Sequence, residues 1–363
     1  MTNVATRQYD VIGLMSGTSL DGLDIAHCRF YTTANSWKYE IVQAETIAYS
    51  AEWKQKLINA ETLNALDFQQ LHIDYGFYLG QRVADFIIKY NSKIDFVSSH
   101  GHTIFHQPEK RLTVQIGSGS CIASKCKHTV VNDFRALDVA LAGQGAPLVP
   151  IGDRLLFSEF DFCLNLGGFA NVSYEHLGRR IAYDICPVNI VMNALCEKSG
   201  KSFDENGAMA REGMVSHYLL NELNQLGFYK VAPNSPKSLG KEWVINFINP
   251  ILDLYEVTEC DALRTFCEHI AFQVAKSLND KPKSKLLVTG GGTYNTFLME
   301  CIRQQVKHEV IIPDSKTIEF KEALIFAFLG VLRVRNEINC LRSVTGAFAD
   351  SSSGAVHYFN NEI

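Results

Sequence analysis

The sequence lacks the cysteine patterns that hold metal ions. It has 10 cysteines in 363 residues, yet no two of them form a Cys-x-x-Cys pair. The spacings of Cys121 to Cys126 and of Cys260 to Cys267 match neither a zinc finger nor a zinc ribbon. We therefore expect reduced, mostly buried thiols that pack as small hydrophobic side chains, as is usual in a cytosolic protein.

Long apolar runs and dense basic tracts are missing as well. Residues 1–10 contain no apolar core of the kind found in secretion signals, and no stretch approaches the length of a transmembrane helix. The formal net charge is −5 and no tract is rich in Lys and Arg, which argues against nucleic acid or an anionic membrane as the main partner. We expect a cytoplasmic protein that acts on a small molecule, with no nucleic acid and no membrane as partner.

The sequence does contain enough apolar material for two hydrophobic cores. Hydrophobic residues make up 47% of the chain and charged residues 20%, a composition without a signature of disorder. Because 363 residues are many for a single core, we expect two lobes.

The apolar periodicity predicts one order of elements twice, β-β-β-α-β-α-β, and hence an α/β fold class. In the first copy, strands are predicted near 9–14, 24–31, 39–49, 95–99, 113–116 and 129–133, with helices near 51–60, 64–90 and 118–126. In the second copy, strands are predicted near 161–166, 170–175, 180–185, 286–289 and 309–313, with helices near 189–199, 205–225, 241–254, 261–279, 294–306 and 319–337. The first strand of each copy runs into a glycine-containing turn.

The turn after the first predicted strand carries a chemical signal. Residues 13–24 combine small residues, hydroxyls and carboxylates, and such a turn can direct backbone N–H groups at a polyanion. Asp21 and Asp24 could hold Mg²⁺ there, directly or through water, because hard cations take oxygen ligands. The same residue types also suit an ordinary β-hairpin turn, and their chemistry alone leaves both interpretations open.

Six segments resemble the anhydro-N-acetylmuramic acid kinase family, and they occur in the family's order over most of the chain. They are Met15–Gly22, Ser99–Thr103, Val131–Arg135, Gly143–Pro150, Asn165–Val172 and Gly290–Asn295. The resemblance implies the fold of the acetate and sugar kinase, chaperone and actin superfamily: two actin-like ATPase lobes with a nucleotide and substrate cleft between them. We expect one lobe at 1–134 plus 344–363 and the other at 135–343. A generic two-domain α/β enzyme with a nucleotide site at the strand ends is the alternative.

The resemblance also implies a reaction, which belongs to cell-wall (peptidoglycan) recycling. Water opens the 1,6-anhydro ring of anhydro-N-acetylmuramic acid while ATP phosphorylates O6, giving N-acetylmuramic acid 6-phosphate and ADP. The attacking water needs a base. We expect Asp184 to be that base, because it matches the aspartate of the family motif Phe-Asp-Thr-Gly-Pro-Gly-Asn. A helix cap or a solvated carboxylate at a strand end is the alternative role for Asp184.

The segment around Asp184 departs from this family motif. The chain reads Tyr-Asp-Ile-Cys-Pro-Val-Asn over 183–189, so the Thr and both Gly are replaced. We expect Ile185, Cys186 and Val188 to make one wall of the sugar pocket more apolar and less able to follow the ligand closely. This expectation motivates an alternative function, a kinase of the same fold that acts on a different amino sugar or anhydrosugar. An ATP-switched binding protein is an alternative from another class.

Further residues are assigned to ligands through the resemblance. The nucleotide is expected at Gly17, Thr18, Ser19, Leu20, Asp21, Gly22, Leu23, Asp24, Gly167, Gly168, Gly290, Gly291 and Gly292. The sugar is expected at Arg135, His100, Glu322 and Asn189, where the Arg135 guanidinium would pair with the lactyl carboxylate. The expected cofactors are ATP and Mg²⁺, with the metal at Asp21, and the family resemblance suggests a homodimer.

Three of these assignments have alternatives in the sequence itself. Arg135 could pair within the chain with Asp133 or Asp138. Glu322 could serve the dipole of a helix that begins near it. The histidines at 100, 102 and 106 could form a metal cluster, although sugar contacts or core packing are the preferred roles for them.

Overall fold

The computed structural model describes residues 7–33, 36–230, 237–278 and 284–360, and the chain forms two compact units. The first unit comprises Met1–Leu156 and Phe320–Ile363, and the second comprises Phe157–Glu319. These boundaries differ from those of the expected lobes, because residues 135–156 and 320–343 belong to the first unit. The described helices include none with the length and apolar character of a membrane span.

The elements before residue 157 begin with a three-stranded antiparallel meander. They are β1 (Arg7–Ser16), β2 (Gly22–Thr32), β3 (Trp37–Ala48), α1 (Ala51–Ile58), α2 (Ala65–Tyr90), β4 (Phe96–Gln107), β5 (Leu112–Ile116), α3 (Gly119–Cys126), β6 (Val130–Asn132), α4 (Ala136–Ala140) and α5 (Val149–Leu156). Strand β4 runs parallel to β1, and β6 runs parallel to β4. The sheet order along this path is β6-β4-β1-β2-β3, and β5 pairs with β4.

The remaining elements start with a second antiparallel meander. They are β7 (Phe162–Leu166), β8 (Phe169–His176), β9 (Arg179–Pro187), α6 (Asn189–Glu197), α7 (Ala208–Glu212), α8 (His217–Gln225), α9 (Lys241–Trp243), α10 (Asn249–Leu254), α11 (Glu259–Ser277), β10 (Lys285–Thr289), α12 (Thr296–Gln305), β11 (Glu309–Ile311), α13 (Ser315–Val334), α14 (Arg342–Thr345) and β12 (Ala355–His357). Strand β10 is parallel to β7 and to β11, which gives the order β11-β10-β7-β8-β9. The two sheets therefore share one strand order and direction, and the predicted repetition of elements is confirmed.

Helix α2 shows why a helix of the first unit could be predicted from its local sequence. Its buried side chains recur at helical spacing, which produces one apolar face: Leu71, Tyr75, Leu79, Val83 and Phe86. Asn64 caps its start by accepting hydrogen bonds from two backbone N–H groups, and Asn91 ends it in a left-handed conformation with φ 49°. The predicted helix at 64–90 is thus confirmed almost to the residue.

Two predicted helices of the second unit are broken. The helix expected at 205–225 divides because a Cβ on Gly213 would lie 2.1 Å from the Cys260 carbonyl oxygen. The chain passes α11 there in an extended form and bonds to it, with the Ser216 N–H donating to Thr265 Oγ1 at 2.9 Å. The helix expected at 241–254 contains a π-helical turn at Val244–Ile248. Contacts between distant segments override the local pattern at both places.

Helix α13 lies directly against the sheet of the first unit because glycine removes side chains at the contact. A Cβ on Gly13 of β1 would lie 2.1 Å from the Ala323 carbonyl oxygen. One turn further along the helix, Ser98 Oγ of β4 donates a hydrogen bond of 2.5 Å to the Phe326 carbonyl oxygen. This packing fixes the position of Glu322 in the first unit. Strand β12 also joins that sheet, antiparallel to β6.

Candidate active site

The first glycine turn, residues 17–21 between β1 and β2, presents open backbone. Thr18, Ser19 and Asp21 are exposed, and Leu20 has a positive φ of 61° that closes the turn. Within the described part of the chain, a Cβ on Gly17 would meet only the Ser19 hydroxyl oxygen, at 3.6 Å. The space above Gly17 is therefore available to a ligand, and nothing in the packing of the first unit requires glycine there.

Gly22 and Leu23 follow this turn and are part of the packed sheet. A Cβ on Gly22 would lie 2.6 Å from the Ile47 carbonyl oxygen of β3, so this glycine has a structural reason. The Leu23 side chain is 1% exposed and lies in the core of the first unit. These two residues could meet a nucleotide only through backbone groups.

The carboxylates assigned to magnesium differ in their surroundings. Asp21 is exposed, whereas Asp24 Oδ1 accepts a hydrogen bond of 2.6 Å from Thr46 Oγ1 on β3. Within the described ranges, no group of three or more His, Cys, Asp or Glu side chains is arranged to hold a metal ion. Mg²⁺ often needs only one or two carboxylates beside substrate phosphates, so Asp21 stays a prediction.

A buried polar network lies beneath the first glycine turn. Ser16 Oγ is 2.7 Å from the Tyr49 hydroxyl and 2.8 Å from His102 Nδ1. The Tyr49 hydroxyl is 2.6 Å from the Tyr75 hydroxyl, so the four side chains are linked in one row. Burial lowers the pKa of His102 to about 4, which keeps its imidazole neutral at pH 7. The network ties the end of β1 to β3, α2 and β4.

The second glycine turn, Gly167 and Gly168 between β7 and β8, is held by backbone groups. The Gly168 carbonyl accepts from the Val188 N–H at 2.8 Å, and the Gly167 carbonyl accepts from the Asn189 N–H at 3.2 Å. The start of α6 thus satisfies its free N–H groups on this turn. Among the residues that the structure describes, none has an atom within 4 Å of a Cβ added to Gly168, so this turn also has open space beside it.

The glycines after β10 lie against the end of β7, next to this turn. Gly290 has φ 88°, and a Cβ there would lie 2.6 Å from Asn165 Oδ1. Gly291 is exposed, and a Cβ on it would lie 3.8 Å from Asn189 Nδ2. Asn189 Nδ2 itself donates to the Leu166 carbonyl at 3.4 Å. The second unit therefore brings together five predicted nucleotide glycines and Asn189.

Asp184 lies near the end of β9 at a β-bulge. The partner register runs from Asn171 opposite Asp184 to Ala170 opposite Cys186, so Ile185 is the extra residue. Bulges are frequent beside active sites because they redirect side chains. Asp184 Oδ2 accepts from the Leu239 N–H at 2.8 Å and from Ser238 Oγ at 3.1 Å. Desolvation raises the pKa of Asp184, and these two hydrogen bonds and Lys237 act in the opposite direction.

The residues that replace the family's Thr and Gly do not line an open pocket. Ile185 is 1% exposed, and Cys186 and Val188 are 0% exposed. All three side chains belong to the hydrophobic core of the second unit. The expectation that they form an apolar wall of the sugar pocket is therefore wrong, because the bulge turns both Ile185 and Cys186 into the core.

Arg135 and His100 form a fixed pair in the first unit. Arg135 Nε and Nη2 lie 3.2 and 2.9 Å from His100 Nε2, and Arg135 Nη1 donates to the Gly145 carbonyl at 2.6 Å. Since His100 Nε2 accepts, its proton is on Nδ1, which lies 3.0 Å from the Gly101 carbonyl oxygen. Burial and the Arg135 charge hold the pKa of His100 well below its usual value, so the imidazole is neutral. Among the described residues, these contacts use three of the five guanidinium N–H groups, which leaves one on Nη1 and one on Nη2 for a ligand.

The contacts of Arg135 and of the three histidines bear on their alternative roles, an ion pair within the chain and a metal cluster. In the described part of the chain, Arg135 makes no ion pair with Asp133 or Asp138. Asp138 is instead fully buried and accepts from the Gly145 N–H at 2.7 Å, which steadies the carbonyl that Arg135 contacts. His106 Nδ1 lies 3.1 Å from Thr113 Oγ1, so the three histidines have three different sets of neighbours.

Glu322 stands on the sheet-facing helix α13 near two of the predicted residues. Desolvation by surrounding protein raises the pKa of Glu322 although the side chain keeps contact with solvent, and the Arg135 charge opposes this rise. The negative charge of Asp24 also raises it. The charges of Arg135 and Asp24 therefore both act on Glu322, and His100 is bound to Arg135.

Several residues that shape these sites were not identified in the sequence. Ser238 and Leu239, which hold Asp184, follow it by more than fifty residues and show no motif. Tyr49 and Tyr75, which support Ser16, appear only as an aromatic strand end and a core residue of a helix. Their roles depend on contacts across the fold, and the one available signal was the position of Ser16 and His102 inside the quoted family segments.

Comparison with known proteins gives a consistent result. The family model described as anhydro-N-acetylmuramic acid kinase matches residues 9–359. The anhydro-N-acetylmuramic acid kinase of Vibrio vulnificus (strain CMCP6) is 33% identical over 95% of this chain and 97% of its own length. That of Bacillus thuringiensis subsp. konkukian is 30% identical over 93% of this chain and 96% of its own length.

Solved structures are less similar. A ROK family glucokinase from Streptomyces griseus in complex with glucose and AMPPNP is 12% identical, covers 90% of this chain and 99% of its own, and has a TM-score of 0.36. A likeness at that level carries no argument. The family match extends over nearly the whole sequence, from β1 to the segment after β12, and the chain belongs to the anhydro-N-acetylmuramic acid kinase family.

Proposed function

We propose that this protein converts 1,6-anhydro-N-acetylmuramic acid, water and ATP to N-acetylmuramic acid 6-phosphate and ADP in cell-wall recycling. The observation that carries the proposal is the state of Asp184, beside the family membership. Its carboxylate is part-buried, has a raised pKa and is engaged through one oxygen. A carboxylate of this kind can accept a proton from a nucleophile at neutral pH.

The proposed reaction has a complete atom balance. As the water oxygen bonds to the anomeric carbon, its proton passes to Asp184 and the bond from that carbon to O6 breaks. O6 takes the γ-phosphoryl group, and ADP is the leaving group. An ordinary sugar kinase would use the same carboxylate to take a proton from a substrate hydroxyl.

The residues fit a nucleotide, because glycine leaves space at both glycine turns. A Cβ on Gly17 or Gly168 would meet at most one side-chain oxygen within 4 Å, so a phosphate can approach the backbone at either place. Backbone N–H donors need no reorganisation as charge develops on the transferring oxygens. Bound Mg²⁺ would neutralise phosphate charge, and Asp21 would hold it directly or through water.

Arg135 is proposed to bind the lactyl carboxylate of the sugar. Its guanidinium plane is held by His100 and Gly145, and two N–H groups on the terminal nitrogens remain for a carboxylate. Glu322, beside Arg135, and Asn189 are proposed to contact sugar hydroxyls. These roles follow the family resemblance and are supported by the action of the Arg135 and Asp24 charges on Glu322.

We also propose that the enzyme works in the cytoplasm as a homodimer. The supports are its ATP requirement, which the cytoplasm meets, and the family resemblance. Light scattering of the purified chain across a range of concentrations tests the second statement, since a mass of one chain at every concentration would contradict it.

The experiment that tests the function is a substrate panel with product analysis. Purified protein, ATP and Mg²⁺ are combined with anhydro-N-acetylmuramic acid, N-acetylmuramic acid or N-acetylglucosamine in water enriched in heavy oxygen. We expect the anhydrosugar to be preferred and to carry phosphate on O6 and one heavy oxygen on the anomeric carbon. Preference for another sugar, or phosphorylation without incorporation of solvent oxygen, would contradict the proposed reaction.

A further inference from the structure

Three consecutive residues, 237–239, hold the carboxylate of Asp184 by one of its two oxygens. We call these residues the Asp184 clamp. The Ser238 hydroxyl and the Leu239 N–H both bond to Oδ2, at 3.1 and 2.8 Å. The Asp184 N–H bonds back to the Lys237 carbonyl at 3.0 Å. In the described ranges, no hydrogen bond reaches Asp184 Oδ1.

The clamp is itself anchored at both ends. At one end, the Lys237 ammonium lies 4.5 Å from the ring centre of Phe228 and 5.5 Å from that of Tyr183, a cation–π arrangement. Tyr183 is fixed in turn, because its hydroxyl donates to the Ser277 carbonyl at 3.0 Å. At the other end, the Leu239 side chain is 8% exposed. The clamp can therefore hold the carboxylate in one orientation.

We propose that the clamp makes Asp184 a one-sided base, with Oδ2 fixed by Ser238 and Leu239 and Oδ1 reserved for the proton of the attacking water. This inference rests on the proposed function for the identity of the proton donor. As the water oxygen bonds to the anomeric carbon, an O–H bond forms at Oδ1 and the bond from that carbon to O6 breaks. Ser238 and Lys237 touch no reacting atom in this step and are positioning residues.

The charges around Asp184 determine how removal of the clamp changes the pKa of Asp184. The groups that act on it are the Lys237 ammonium, the Ser238 hydroxyl and the Leu239 N–H, which all favour the ionised form, and desolvation, which disfavours it. The buried Cys186 thiol also lies within electrostatic reach, and Lys276 acts on Lys237. Loss of the Ser238 hydroxyl leaves desolvation less opposed, so the pKa of Asp184 rises further.

The experiment compares Ser238→Ala with Ser238→Thr, which keeps the hydroxyl, and with Ser216→Ala as a matched control. Ser216 starts α8 in the same unit, and its side chain makes no capping bond. For each variant, kcat and KM for the anhydrosugar are measured against pH, and the Asp184 carboxyl is titrated by carbon-13 NMR, with Asp184→Asn to assign the signal. Melting temperatures confirm folding.

We expect Ser238→Ala to move the acidic limb of kcat and the NMR midpoint to higher pH together, by about half a unit to one unit. KM for ATP and melting temperature should change little. Ser238→Thr and Ser216→Ala should follow the wild type. If the kcat–pH profile and the NMR midpoint of Ser238→Ala coincide with those of the wild type, the proposed role of the clamp is wrong.

The NMR titration separates failure of this inference from failure of the proposed function. If the wild type does not turn over the anhydrosugar and the midpoint still moves in Ser238→Ala, the clamp on Asp184 stands and the proposed reaction fails. If turnover is normal and neither the midpoint nor the acidic limb moves, the reaction stands and the clamp fails. Lys237→Met gives a second test, since loss of its charge and anchor should shift the midpoint in the same direction.

Discussion

The two glycine turns occupy the same place in two sheets of the same strand order, yet they are held differently. The first is supported from below by side chains, with Ser16 bonded to Tyr49 and His102. The second is supported by backbone N–H groups at the start of α6, which bond to the carbonyls of Gly167 and Gly168. The two turns therefore depend on different things: the first on the identity of side chains, the second on main-chain packing.

This difference has consequences for mutation and for pH. A side-chain network can be removed by single substitutions and contains a titratable imidazole. Backbone support has neither weakness, but it depends on the packing of the element that supplies the N–H groups. For the second turn that element is α6, and its N-cap residue Val188 is packed in the core of the second unit.

The largest expected effect is a loss of stability that also loosens the second turn. The triple variant Ile185→Thr, Cys186→Gly, Val188→Gly restores the family's residue types but removes packed atoms at positions 0–1% exposed. We expect a cost on the order of 3 kcal/mol or more in unfolding free energy, because cavities and a buried hydroxyl are introduced. Chemical denaturation measures it. A triple variant as stable as the wild type and faster on the anhydrosugar would restore the pocket-wall interpretation.

The next effect separates ligand contact from packing in the first turn. Gly17→Val places its side chain in open space, so we expect a melting temperature near the wild type and a fall of roughly 10²-fold in turnover as phosphate is obstructed. Gly22→Val is the matched control, because its Cβ would clash with the Ile47 carbonyl oxygen and lower the melting temperature. Unchanged ATP binding by calorimetry for Gly17→Val would remove the first turn from the nucleotide site.

Gly168→Val applies the same test to the second turn. Its side chain would also enter open space, so we expect preserved folding and weaker ATP binding, of a size similar to that in Gly17→Val. Calorimetric titration with ATP measures both variants side by side. If only one of the two variants weakens ATP binding, the two turns do not share the nucleotide. Their similarity is then limited to their place in the sheets.

A smaller effect is expected from Ser16→Ala, which cuts the network under the first turn. The buried Tyr49 hydroxyl and His102 Nδ1 each lose a partner, at a cost of about 1–3 kcal/mol. Hydrogen exchange should quicken at residues 17–21 and stay unchanged at the second glycine turn. Equal changes at both turns would mean that the loss of stability is global, and the network would then have no local role.

A further effect is a pH dependence confined to the first turn. The folded pKa of His102, about 4, lies below its unfolded value of about 6.5, so the unfolded state binds the proton first as the pH falls. The stability that neutral His102 contributes is complete above about pH 6.5 and declines toward pH 4. Protection factors at residues 17–21, which correct for the pH dependence of intrinsic amide exchange, should fall over this range and should not in His102→Gln. Similar acid sensitivity in that variant would assign the effect to another group.

What the sequence could predict follows from how local each feature is. The helix at 64–90 was readable because its apolar spacing lies within it and its caps, Asn64 and Asn91, directly flank Ala65–Tyr90. The order of strands and helices along the chain was readable because each element has its own apolar periodicity. The break at Gly213 was not, because it depends on the approach of Cys260 from another helix.

The candidate site divides in the same way. The glycine turns and Asp184 lie in short motifs and were assigned from them. The inward direction of Ile185 and Cys186 depends on a bulge that is set by pairing with β8, which no local pattern indicates. The Ser238 and Leu239 contacts join segments more than fifty residues apart, and these contacts arise only in the folded chain.

The most direct test of Asp184 as the catalytic base is the turnover of Asp184→Asn with anhydro-N-acetylmuramic acid, ATP and Mg²⁺. The amide keeps the shape, and its oxygen can still accept from Ser238 and Leu239, but it cannot take a proton from water. The account predicts that kcat falls by about 10²-fold or more, while calorimetric ATP binding and melting temperature stay near those of the wild type. Turnover close to that of the wild type would contradict Asp184 as the base.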